Sequence, residues 1–170
     1  SFGRSGRRGG QEESLPVQYL RKEFSTRKKI KSARVYVTSL GVYQLYLNGE
    51  KVGKDLFTPG WTSYHKRLQY LTYDVTDRLQ KENTIGGMLG DGWYRGYLGW
   101  NGGRSYYGDQ LALLVQLEIT YTNGSRETII SDENWKVSYG PILESDIYNG
   151  EKYDAQLALE GWAENKYDDR

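Results

Sequence analysis

Apolar and polar residues alternate along most of this chain with a period of two. ARVYVTSL (33–40) sets Val35 and Val37 against Tyr36 and Thr38, the signature of a half-buried strand. VYQLYLNGEKVG (42–53) carries two alternating runs around Asn48-Gly49, a dipeptide suited to the two positive-φ positions of a tight hairpin. The same pattern predicts strands at 17–24, 68–75, 82–89, 126–131, 134–140 and 142–148. LALLVQLEITY (111–121) begins as a continuous apolar run, as a central strand does, and Asn123-Gly124 turns it into the next strand. Pro59-Gly60 marks 56–67 as a loop, 74–79 reads as a short turn, and 155–160 as a short helix or turn. No long segment shows an apolar period of 3.6 and there is no internal repeat. Eight to ten short strands with turn signals between them predict an all-β, two-sheet sandwich or jelly roll.

Two segments stand apart. Residues 1–14 are Arg- and Gly-rich with one large apolar residue, the composition of a disordered arm or tag remnant. Residues 15–170 then form one domain, a length able to bury a core without staples. Its tail, AENKYDDR, is polar and lacks a core-forming element, as expected of a fragment of a longer multidomain protein. Residues 90–110 hold seven Gly, two Trp and four Tyr, a long aromatic loop with few core formers. Such loops are more often functional than ornamental.

Composition narrows the chemistry. There are 16 Tyr and 5 Trp but no Cys, which excludes disulfides, thiolate nucleophiles and cysteine zinc sites. With 23 basic and 22 acidic residues the net charge is +1, so no field draws the chain to nucleic acid or an anionic membrane. RKKIK (27–31) reads as a solvated strand lead-in. No apolar run approaches the ~20 residues that span a bilayer. The single histidine, His65, lies beside Lys66 and Arg67 without a nucleophile elbow, and reads as a solvated loop residue.

Five segments in order resemble the N-terminal domain of bacterial α-L-rhamnosidases, glycoside hydrolase family 78. They are YQLYLNGEKVG with TPGWTSYHKR, LTYDVTDRL, ENTIGGMLGDGWYRG, YGDQLALLVQLEITYTNGS with SDENWKV, and GPILESDIYNGEKYDAQL. The resemblance implies a galactose-binding-like jelly-roll β-sandwich that precedes other β-domains and an (α/α)6 barrel holding the catalytic carboxylates. It implies no catalytic residue in this chain, and a role in recognising rhamnose-containing carbohydrate. In some members a related sandwich binds L-rhamnose through calcium. Asp55, Asp109 and Asn101 are the candidate oxygen ligands by type, although no contiguous calcium loop is present. No organic cofactor is implied.

Sugar recognition needs flat amphipathic rings and side chains that donate and accept hydrogen bonds. Asp91, Trp93, Tyr94, Arg95, Trp100, Asn101, Tyr106 and Asp109 supply these types in the aromatic loop, joined by Asp146, Tyr148, Asn149 and Glu151 in DIYNGE. The bland alternative makes Trp93 and Tyr107 core anchors and the rest an interdomain surface. Three functions stay open: a carbohydrate-recognition module, a structural domain docking on the catalytic barrel, and an independent glycosidase. The last would pair Glu144 with Asp146, or Asp146 with Glu151, at the ~5–9.5 Å that glycoside hydrolysis requires.

Overall fold

The computed structural model describes residues 14–99 and 103–170. Two antiparallel sheets face one another. One has the order β4 (Glu50–Lys51), β3 (Val42–Leu47), β6 (Glu82–Gly90), β1 (Gln18–Ser25), β9 (Lys136–Tyr139). The other runs β5 (Leu71–Asp74), β2 (Ile30–Leu40), β7 (Ala112–Tyr121), β8 (Arg126–Ile130). A separate hairpin, β10 (Ile142–Asp146) with β11 (Gly150–Tyr153), completes the strands. This is the all-β jelly-roll sandwich that the sequence pattern predicts.

The period of two sorts residues between faces. Val35 and Val37 of β2 meet Val115, Leu117 and Ile119 of β7 inside the sandwich, opposite Leu45, Leu47, Ile85 and Leu89 of the other sheet. All are essentially inaccessible to water. β2 and β3 are nearly continuous in sequence yet belong to different sheets, and the chain crosses between layers at Gly41. Its φ of +126° and the carbonyl of Gly90, 2.5 Å from where a Cβ would stand, leave room only for glycine. The Asn48-Gly49 turn forms as predicted, with φ of 53° and 85°. Asn48 does more than turn the chain. Its amide reaches Asn83 and the carbonyl of Arg78 at 3.0 Å each, and its oxygen accepts the N–H of Thr84.

Three expectations change. The segment 90–110 contains a short helix, α1 (Gly92–Arg95), and is not wholly loop. The 142–148 strand ends at Asp146, and its Asn149-Gly150 turn leads into β11, a strand the sequence did not signal. The polar tail AENKYDDR, with Trp162 just before it, packs on the sheet. Trp162 lies on the outer face of the five-stranded sheet, edge-on to Tyr19 at 5.1 Å and Tyr46 at 5.4 Å. A Cβ on Gly86 would stand 2.6 Å from its ring, so β6 uses glycine to admit it. Asn165 accepts from Thr84, Arg21 donates to the carbonyl of Trp162, and Asp169 pairs with Arg21 and Lys136. The C-terminal segment is therefore a third layer over this sheet, with Leu159 and Trp162 sharing a small cluster with Tyr19 and Ile142.

Candidate functional site

The 56–67 loop and the segment around α1 meet in a surface cluster of aromatic rings. Trp61 stacks on Trp93 with centroids 6.0 Å apart and planes within 6°. Phe57 leans on the other side of the cluster, 5.9 Å from Trp93. The Trp61 indole N–H donates to the Tyr107 hydroxyl at 3.1 Å. Beneath them Tyr64 is edge-on to Tyr94 at 5.2 Å and to Tyr107 at 4.9 Å. Tyr64 and Tyr94 are buried, so they anchor the cluster, whereas Phe57 (59%) and Trp61 (52%) stay largely open to solvent. His65 is exposed, with its ring 5.9 Å from that of Tyr107.

The presenting loop is held firmly. Thr58 is tied twice to β3: its carbonyl accepts the Tyr43 N–H at 2.9 Å and its hydroxyl donates to the Tyr43 carbonyl at 2.5 Å. Phe57 sits at φ +54°, the left-handed region that a bulky residue enters only at a cost. A large apolar ring is thus kept in water on a strained backbone, an arrangement that stability alone does not favour.

Behind the rings lies an ionic clasp. Asp91 is 2% exposed; one carboxylate oxygen accepts from the Arg95 Nε at 2.6 Å and the other pairs with Arg104. Ser14 also donates to it at 3.3 Å. Arg95 continues to the carbonyl of Asp109 at 3.3 Å, and the Arg104 guanidinium lies over the Tyr97 ring. The clasp closes the 91–109 segment on itself. The chain leaves Tyr107 through Gly108, where a Cβ would overlap the Tyr94 hydroxyl, and reaches the exposed Asp109.

A second carboxylate joins this segment to the β10–β11 hairpin. Asp146 accepts the Tyr97 N–H at 2.8 Å with one oxygen, and the N–H groups of Tyr148 and Asn149 at 2.9 Å each with the other. Between this hairpin and Phe57 runs an open groove of about 270 Å³ floored by β3 and β6. Glu151, Ser145 and Gln44 contribute its polar lining.

The structure thus divides the residues singled out in the sequence. Asp91, Tyr94 and Arg95 were expected to face a sugar, but they are buried and bound to one another or to neighbouring rings. Asp146 is committed to three main-chain donors, which removes it from both proposed carboxylate pairs, and Glu144 faces Lys152 at 3.5 Å. Trp93 is half-buried within the ring cluster. Tyr106, Asp109, Tyr148, Asn149 and Glu151 are exposed, as a ligand would need. Trp100 and Asn101 lie outside the described residues. Among the described residues no three carboxylates or imidazoles converge as a metal site requires. Asp55 instead accepts the Tyr73 hydroxyl at 2.9 Å. Sequence reasoning missed Phe57 and Trp61. The signal was there in LFTPGW, two large rings in a loop too short to bury them.

Comparison with known proteins agrees with this architecture. The profile of the family described as "Alpha-L-rhamnosidase N-terminal domain" matches residues 28–170. An α-L-rhamnosidase of Formosa agariphila is 45% identical over 157 residues, which cover 90% of this chain and 17% of that protein. The crystal structure of the Aspergillus terreus enzyme superposes with a TM-score of 0.89 at 44% identity, over 95% of this chain and 19% of that one. The Streptomyces avermitilis enzyme, solved with L-rhamnose, gives 0.89 at 43% identity, over 92% and 15%. The chain therefore spans less than a fifth of the length of these relatives.

Proposed function

Because the chain belongs to the family of α-L-rhamnosidase N-terminal domains, we propose that it is the carbohydrate-recognition domain of an α-L-rhamnosidase, with catalysis carried out elsewhere in the parent polypeptide. The observation that carries this is the Phe57–Trp61–Trp93 ring cluster, in which Phe57 and Trp61 are kept exposed by a pinned and strained loop. A pyranose presents apolar C–H faces, and rhamnose adds a methyl group; both pack well on flat rings. Tyr106, Asp109 and the hairpin groups Tyr148, Asn149 and Glu151 supply hydroxyl, amide and carboxylate partners for the sugar hydroxyls. One sugar unit buries little area, so affinity is weak, in the ~0.1–10 mM range. Weak binding still raises the local substrate concentration when the module is tethered to a catalytic domain.

Titration of the tryptophan fluorescence with methyl α-L-rhamnoside tests this. Saturable change in the wild type, lost in Trp61→Ala, is the expected result. A response unchanged in Trp61→Ala would reject the ring cluster as the site.

A second reading has its own support. Val137 and Tyr139 on β9, Tyr153 on β11 and Leu157 beyond it are each roughly half exposed, and among the described residues β9 is an edge strand paired with β1. An open strand edge with large apolar side chains suits docking against another part of the parent protein, the catalytic barrel in this reading. It uses a different surface from the ring cluster, so the two roles are compatible.

A further inference from the structure

The groove beside the rings has a chemistry of its own. Val17, Val42, Leu56, Met88 and Ile142, from five separate stretches of chain, form its apolar walls, and Phe57 belongs both to the groove and to the ring cluster. Its volume of about 270 Å³ falls near the lower end of small-molecule sites, ~300–1,000 Å³. That is room for one or two rings and too little for a folded partner. A second sugar there would turn most of its hydroxyls against apolar walls, with only Gln44, Ser145 and Glu151 to pair them, which is costly. A flat apolar group would only gain by leaving water. Among the lining residues the one charged side chain is Glu151, at the hairpin, and no cation offsets it, so an anionic group is repelled.

We propose that this groove receives the neutral, apolar aglycone of a glycoside whose sugar rests on the Phe57–Trp61–Trp93 rings, an aryl group in the simplest case. This rests on the carbohydrate reading above and gives it a ligand class: an amphipathic rhamnoside, with Phe57 at the junction of sugar and aglycone. Leu56 and Met88 then touch the aglycone and not the sugar.

The test is calorimetric or NMR titration of the whole chain with methyl α-L-rhamnoside, 4-nitrophenyl α-L-rhamnoside and 4-nitrophenol. The aryl glycoside should bind about tenfold more tightly than the methyl glycoside. In Leu56→Ser and in Met88→Gln that advantage should fall to about twofold or less while methyl glycoside affinity is unchanged. Leu56 is 71% exposed, so its replacement leaves the fold intact. Equal wild-type affinities for the two glycosides would overturn the groove assignment and leave the ring site standing. Binding of 4-nitrophenol as tight as that of its glycoside would overturn the link between groove and rings. Binding of none of the three would overturn both readings.

Discussion

Asp91 shows how a single side chain can look like a ligand and act as a foundation. Its carboxylate meets two guanidinium groups that are themselves almost wholly buried. Removing it would leave both cations in the interior without their counter-charge. Asp91→Ala should therefore cost about 3–5 kcal/mol of stability, read from urea denaturation. Asp109→Ala, at an exposed position, should change stability by less than ~0.5 kcal/mol. In sequence the two aspartates are alike; only the arginine four residues after Asp91, within reach on one helical turn, hinted at the difference. Tyrosines give a second residue-level expectation. Burial pushes the hydroxyls of Tyr19 and Tyr64 up to about 12 from the usual 10.0. The folded state then prefers the protonated phenol, while the unfolded chain ionises near 10. Stability should be full below pH 10 and fall as pH rises towards 12. Absorbance of tyrosinate followed together with unfolding should show these hydroxyls titrating late; complete ionisation by pH 11 with the fold intact would contradict the burial described here.

Elements were legible where local chemistry dictates them and obscure where contacts are distant. Alternation in β2, β3 and β7 and the two Asn-Gly turns follow from neighbours in sequence, and these strands form where expected. The β10–β11 hairpin depends on a bulge between Ile142 and Glu144 and on Asp146 gathering three N–H groups. Neither leaves a periodic trace. The C-terminal layer was hidden for the same reason: its apolar content is essentially Leu159, Trp162 and Ala163, and its hold on the sheet comes from Gly86 making space and from Arg21 far away in sequence. This layer should contribute substantially. Trp162→Ala should lose roughly 2 kcal/mol, less than the ~3–5 of a fully buried tryptophan because the ring is only partly buried. Gly86→Ala should lose a comparable amount by displacing the ring. Thermal melts of the two variants and their double would show the coupling, since both act through one contact and their effects should not add.

At the scale of the whole molecule, the sandwich offers two surfaces suited to different partners. The ring cluster and groove suit a glycoside, and the β9 and β11 edges suit protein. On its own, the chain should self-associate weakly through those edges, and Val137→Lys with Tyr139→Lys should abolish this in sedimentation experiments without altering sugar binding. Among the described residues no group of His, Asp and Glu gathers as a metal site would, so sugar binding should be the same in calcium and in excess chelator. The central claim is that the exposed rings hold sugar, and an amide NMR titration of the chain with methyl α-L-rhamnoside addresses it most directly. Shifts confined to 56–64, 93–109 and 146–151, saturating in the millimolar range, are the predicted result. An absence of shifts at ~50 mM sugar, or shifts at Val137, Tyr139, Tyr153 and Leu157 instead, would contradict it.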